Sequence, residues 1–252
     1  MKRPTKATRS TKTAEGRAVR TTEKVAHWTE SYGINQFHLT PAQKAFADKI
    51  MLNDLTFCVG PAGTGKTVAA LHTFCKMYLQ DSRKRLIVIR TPVEAGMDKI
   101  GALPDGLQEK TEPHFASTKN LLQMLLSKGK VETDIGHRIE FKIPNFCLGA
   151  TFDNSLILIE EAQQLPPLIL KLLLERTGID SKVVVMGDNT QLYTNAHGRN
   201  ALIDAIPRFF SVPSKSSGEY IPKYENVEYH SFDVEDVQRS DLVKTVIRAY
   251  ST

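Results

Sequence analysis

The stretch LTFCVGPAGTGKTVAALHTFCKMYL, residues 55–79, decides the fold. LTFCV is apolar on both alternating faces and reads as a buried strand, whereas TVAALHTFCKMYL reads as a helix. Between them Gly60, Pro61, Ala62, Gly63, Thr64, Gly65, Lys66 and Thr67 match the phosphate-loop pattern, in the strand-to-helix context that gives this pattern its meaning. Glycines let the backbone curl so that several N–H groups face one anion, at the positive end of the following helix. In such a loop Lys66 reaches the β and γ phosphates and the Thr67 hydroxyl ligates Mg²⁺. Val68 completes the expected nucleotide-binding set, with ATP and Mg²⁺ as the cofactors.

Outward from this loop, short apolar runs recur with helical segments between them: RLIVIR (85–90), SLILIE (155–160) and KVVVMG (182–187), with NVEYHSF (226–232) as a further candidate strand. Runs apolar on both faces and separated by helices predict a parallel sheet covered by helices on both sides, an α/β fold. Thr40 followed by Pro41 reads as an N-cap and a first helical position, opening PAQKAFADKIM. Residues 241–250 predict a closing helix with Leu242, Val243, Val246, Ile247 and Tyr250 on one face. KVETDIGHRIEFKI (130–143) alternates around Asp134, Ile135 and Gly136 and predicts an inserted β-hairpin, while residues 211–223 predict a mobile loop. One domain over 36–252 is expected, preceded by a disordered basic tail over 1–35.

A triphosphatase also needs carboxylates at a neighbouring strand end, and SLILIEEAQ supplies Glu160 and Glu161. One can hold the Mg²⁺ hydration shell while the other polarises the attacking water; the alternative is a solvated charge pair. The run Gly187-Asp188-Asn189-Thr190-Gln191 offers Gln191 to sense the γ phosphate or position the water, although Gly-Asp-Asn also makes an ordinary turn.

Of the formal charge of +5, residues 1–24 hold eight Lys or Arg against two Glu, a net +6, which leaves about −1 for the rest. The tail is either a solvated extension or an arm that seeks nucleic-acid phosphates without reading sequence. Its polarity argues against a secretory signal, and no apolar run approaches the ~20 residues that span a bilayer. The expectation is a cytoplasmic protein without a membrane partner. Cys58, Cys75 and Cys147 have no metal-binding spacing and read as buried thiols.

GPAGTGKT, the segment from Arg90 through Val93-Glu94-Ala95-Gly96 and Leu103-Pro104 to Glu109-Lys110, EEAQ, GDNTQ and the ending DVQRSDLVKTVIRAY together resemble the PhoH family, over about residues 38–250. Members of that family are similar to the first motor domain of superfamily 1 helicases. The compact form with a basic tail resembles versions carried by bacteriophages, which implies the host cytoplasm as the location. The resemblance implies a single RecA-like phosphate-loop ATPase domain acting on single-stranded RNA or DNA as a ring.

By the same resemblance Gln43 matches a glutamine that reads the adenine edge, with an exposed helix residue as the alternative. Arg239 matches an arginine suited to the γ phosphate, and Arg176 is a second candidate; surface ion pairing is the alternative for each. The chain departs from the family where an Asp-Glu pair becomes Glu160-Glu161, where Asp105-Gly106 follows Leu-Pro, and where a basic pair ahead of the third strand is missing. One RecA-like domain supplies one wall of a nucleotide site, so a head-to-tail hexameric homo-oligomer is expected, with an arginine from one copy reaching its neighbour. Lys130, His137, Arg138 and Lys142 of the expected hairpin would line its pore or rim. Rival readings are a small-molecule kinase, a nuclease-associated protein and a non-catalytic or slow nucleotide-binding regulator.

Overall fold

A computed structural model describes residues 32–91, 107–188, 200–211 and 220–250, with only the backbone of 107–111. Its elements in chain order are α1 (Pro41–Leu52), β1 (Leu55–Val59), α2 (Lys66–Gln80), β2 (Arg85–Arg90), α3 (Leu107–Leu126), α4 (Lys128–Asp134), β3 (Ile139–Lys142), β4 (Ser155–Glu160), α5 (Pro167–Leu174), β5 (Lys182–Gly187), α6 (Ala201–Phe209), β6 (Phe210–Ser211), β7 (Ile221–Pro222), β8 (Val227–Ser231) and α7 (Asp241–Tyr250). Six strands form one sheet in the order β3-β2-β4-β5-β1-β8, and every pairing in it is parallel.

Apolar residues at both parities of each central strand explain the layering. Cys58, Leu86, Val88, Leu156, Leu158, Val184 and Met186 pack on one face with α1 to α4, while Phe57, Ile87, Ile89, Ile157, Ile159, Val183 and Val185 pack on the other with α5 and α6. A strand buried on both faces needs helices on both faces. β4 is buried along its whole length. The predicted α1 start is present as a reciprocal cap: the Thr40 hydroxyl accepts from Gln43 N, and Gln43 Oε1 accepts from Thr40 N.

The hairpin expected over 130–143 does not form. Residues 128–134 are the helix α4, capped by Ser127, with Val131 and Asp134 buried on one face. Asp134 can be buried there because Tyr78 Oη donates to it and Lys130, one helical turn earlier, ion-pairs with it. After a turn at Gly136 (φ 81°), β3 joins the edge of the main sheet parallel to β2. The basic residues expected at a pore are mostly engaged within the fold: Arg138 bonds the carbonyls of Tyr78, Asp81 and Lys84, and Lys142 pairs with Glu140.

Two further boundaries differ from expectation, and the closing helix forms where expected but stays exposed. The N-terminal segment joins the fold earlier than residue 36, because Gly33–Gln36 form a 3₁₀ turn that buries Ile34. Of the loop expected over 211–223, residues 212–219 lie outside the described residues, and β7 pairs antiparallel with β6. The closing helix α7 forms but buries none of its residues; Leu242, Val246 and Tyr250 are 71%, 48% and 87% exposed. It projects from a segment pinned to the phosphate loop by Gln238 N donating to Gly63 O, rather than lying over the sheet.

His230 of β8 lies next to Cys58 in the sheet, stacks on Phe46 at 5.1 Å and meets Phe232 edge-on at 4.6 Å. Its Nε2 is buried with no hydrogen-bond partner among the described residues. Burial, aided by Lys49, lowers its pKa to about 4, whereas an unfolded histidine titrates near ~6.5. Between these values the unfolded chain binds the extra proton, so this contribution is complete above pH ~6.5 and is lost as pH falls towards 4. Urea midpoints at pH 7 and pH 5 are expected to differ less in His230→Phe than in wild type, the histidine accounting for ~2 kcal/mol of the wild-type difference.

Candidate active site

The strand ends set the site. β1, β4 and β5 all point the same way, so Gly60, Glu160 and Gly187 meet at the C-terminal edge of the sheet, where Gly60 N donates to Gly187 O. The chain then turns from β1 into α2 through a loop whose Gly65 is the N-cap with φ 83° and ψ 24°, a left-handed geometry suited to glycine. A Cβ on Gly65 would lie 2.3 Å from Gln43 Nε2, and one on Gly63 would meet the Arg239 side chain at 3.0 Å. The loop is therefore held from both sides by side chains that need its glycines.

Gln43 is buried rather than exposed, and its amide is engaged: Nε2 donates to Thr64 O at 3.0 Å while Oε1 closes the α1 cap. In this structure it braces the loop. Lys66 Nζ donates to the carbonyls of Gly60 and Pro61 at 2.6 and 2.7 Å, a resting position across its own loop. Burial pushes its pKa down against the opposing pull of Cys58, Asp188 and Glu161.

Lys66, Thr67, Glu160, Glu161, Gly187 and Asp188 line one small cavity of about 50 Å³. A larger groove of about 730 Å³ lies elsewhere, between α5 and α6, and is walled largely by leucines and Phe209. The small cavity is the candidate site, because among the described residues the phosphate loop and the acidic strand end converge there. Glu160 is 4% exposed, and its pKa is raised by burial against the opposing pull of Arg90 and the hydroxyls of Thr118 and Thr67. Glu161 takes a left-handed backbone conformation (φ 53°, ψ 40°), which ends the strand. Arg90, ending β2, stands 3.8 Å from both carboxylates.

The pairing of Thr67 with Glu160 suits a Mg²⁺ ion held mainly by phosphate oxygens and water, with the carboxylate acting on its hydration shell. Among the described residues no group of three or more His, Cys, Asp or Glu stands ready to hold a metal.

Gln163 is a site residue that motif reading did not single out. It is 2% exposed; its Nε2 donates to Glu161 Oε2 at 2.7 Å, and its Oε1 accepts from Asp188 N at 3.1 Å. It thus ties the Glu161 carboxylate to the end of β5. Arg90 and Thr118 were also missed as site residues; Arg90 closes a strand at the same sheet edge, a signal present in the sequence, whereas Thr118 lies far along the chain with no motif around it.

Of the other expected site residues, Gln191 lies outside the described residues. Arg239 packs on Gly63 of its own chain. Arg176 does not join the site: its carbonyl accepts from Phe152 N, just before β4 begins, at the opposite edge of the sheet. That separation is the length of β4, roughly 16 Å at ~3.3 Å per residue.

A family model described as PhoH-like protein matches residues 37–251. A PhoH-like protein of Synechocystis is 32% identical over 210 residues, covering 82% of this chain and 60% of that one. A PhoH-like protein of Bacillus subtilis is 29% identical over 212 residues, covering 84% and 62%. The chain thus spans about three fifths of the length of these curated relatives. Among solved structures, the large terminase ATPase domain of a Thermus phage aligns with 14% identity and a TM-score of 0.47, covering 81% of this chain and 85% of that one. That likeness is too loose to bear on function.

Gln43→Ala removes both the cap and the hold on Thr64. It is expected to cost ~1 kcal/mol of stability and to weaken ATP and GTP by the same factor, ~tenfold, in equilibrium binding. A changed ATP-to-GTP ratio would instead assign Gln43 to reading the base.

Proposed function

The chain belongs to the PhoH family, and on that basis we propose that it hydrolyses ATP with Mg²⁺, coupled to binding or movement on single-stranded RNA or DNA, as a ring of identical copies. The observation that carries the reading is the meeting of Lys66, Thr67, Glu160 and Glu161 around one cavity at the end of a parallel sheet.

In this reading Lys66 leaves the carbonyls of Gly60 and Pro61 for the β and γ phosphates, exchanging neutral acceptors for charged ones. Thr67 and Glu160 hold the Mg²⁺ side, where the ion would neutralise phosphate charge. Glu161, oriented by Gln163, accepts a proton from the water that attacks the γ phosphorus. The bond to the β–γ bridging oxygen breaks, and ADP and phosphate leave. Arg239 lies over the loop of its own chain and serves the γ phosphate in cis. A role for an arginine across the interface falls to Arg176, which is too far from its own loop.

Support for a ring comes from the exposed apolar side of α7, which follows directly after Arg239 and which a second copy would cover. No helix among the described residues is long and apolar enough to cross a membrane, and the proposed setting is the cytoplasm, that of the host if the chain is phage-encoded.

Phosphate release from ATP with Mg²⁺ tests the reading. Lys66→Ala and Glu161→Gln are each expected to lower turnover by at least ~10²-fold, and one single-stranded nucleic acid is expected to stimulate the wild type. Binding of ATP without hydrolysis under all these conditions would instead make the protein a nucleotide-gated regulator. Sedimentation with ATP is expected to show assembly, and Arg176→Ala to lower turnover only in the assembled state. A fully active monomer would remove the ring.

A further inference from the structure

Three threonines inside helices of this chain share one kind of partner. Thr73, Thr133 and Thr245 each donate to the carbonyl four residues earlier, at 2.8, 2.9 and 3.0 Å, the usual local bond of a hydroxyl inside a helix. Thr118, inside α3 and 1% exposed, does otherwise: its hydroxyl donates to Glu160 Oε2 at 2.9 Å, joining residues 42 positions apart.

We propose that Thr118 is a positioning residue of the Mg²⁺–nucleotide site, fixing the Glu160 carboxylate beside Thr67 and tying helix α3 to the occupancy of that site. The inference rests on reading Thr67 and Glu160 as the metal side of an ATP site.

Three observations support it. A carboxylate offers about four lone-pair positions, and the Thr118 hydroxyl takes one of them on the side of the cavity that Thr67 also lines, leaving the rest for a metal-bound water. Arg90, at 3.8 Å, supplies charge but no hydrogen bond, so direction is left to the Thr118 hydroxyl. The bond also depends on the unusual glutamate: an aspartate at position 160 would fall short by ~1.5 Å, one carbon–carbon bond, and a 2.9 Å contact does not survive that. The longer side chain and Thr118 therefore form a matched pair, and a glutamate is accommodated because α3 holds it.

Helix α3 is firmly seated. Leu122, Leu125 and Leu126 are fully buried in the same core as α2, and Gly33 lies so close to the Met124 carbonyl that a Cβ there would come within 2.1 Å. A shift of Glu160 on metal binding would thus be felt along a packed element rather than absorbed by a loose one.

The test is binding of a fluorescent ATP analogue to the full chain, with Mg²⁺ and with EDTA, in wild type, Thr118→Val, Thr118→Ser, Glu160→Ala, Glu160→Asp and the Glu160→Asp/Thr118→Val double variant. Thr118→Val is expected to weaken Mg²⁺-dependent binding ~tenfold or more while leaving binding in EDTA unchanged, and Thr118→Ser to restore the Mg²⁺ dependence. In the Glu160→Asp background Thr118→Val should add nothing, since the hydroxyl no longer has its partner. Equal losses with Mg²⁺ and EDTA, no restoration by serine, or the same tenfold loss on top of Glu160→Asp would each overturn the inference and leave Thr118 a packing residue. Glu160→Ala separates the two levels: Mg²⁺ dependence lost there but intact in Thr118→Val removes only the role of Thr118, whereas Mg²⁺ dependence intact in Glu160→Ala removes the metal-site reading itself.

Discussion

Burying a carboxylate at the end of a wholly apolar strand is the constraint around which this molecule is arranged. Glu160 closes β4, the strand buried along its whole length, and an isolated charge there would carry a large desolvation penalty. The compensating groups come from three elements distant in sequence: Arg90 from the end of β2, Thr67 from the start of α2 and Thr118 from α3. Strand order, the strand-to-helix turn of the phosphate loop and the seating of α3 must all be satisfied for those groups to converge. The acid proposed for the metal side is therefore also the group that requires the fold to be closed around it.

Two buried glutamines extend the same logic. Gln43 joins the cap of α1 to the Thr64 carbonyl of the phosphate loop, and Gln163 joins the Glu161 carboxylate to the backbone at the end of β5. An amide is suited to this because it donates at one end and accepts at the other without adding charge to a crowded ionic site. Each therefore fixes a part of the candidate site against a neighbouring element while leaving the electrostatics to Lys66, Arg90 and the two glutamates.

The sheet and loop were legible in the sequence because their signals are local. A strand apolar at both parities implies cover on both faces wherever it lies, and the spacing of Gly60, Gly65, Lys66 and Thr67 is a chemical requirement. The segment 130–143 was misread because its alternation also places Val131 and Asp134 three residues apart on a helix. Choosing between the two needed Tyr78, which donates a hydrogen bond to the buried Asp134 from another helix. α7 shows the converse: its apolar stripe announced a helix correctly, but periodicity does not say whether the stripe meets this chain or another surface. Thr118 carried no signal, since a hydroxyl inside a helix has a default partner four residues back and only the tertiary fold offers it a different one.

The two arginines show how far one chain can complete its own site. A side chain of Arg239 packed on Gly63 and an Arg176 carbonyl bonded before β4 begins lie at opposite edges of one parallel sheet. Because all six strands run the same way, neither residue can reach the other's edge without unmaking the sheet. Of these two arginines, only Arg239 lies beside the phosphate loop of its own chain. The geometry therefore divides the candidates by subunit: any arginine contribution beyond Arg239 from this pair has to come from a second copy that presents its β4-start edge to this chain's phosphate loop. A head-to-tail contact has that property, whereas a two-fold contact joining like edges does not.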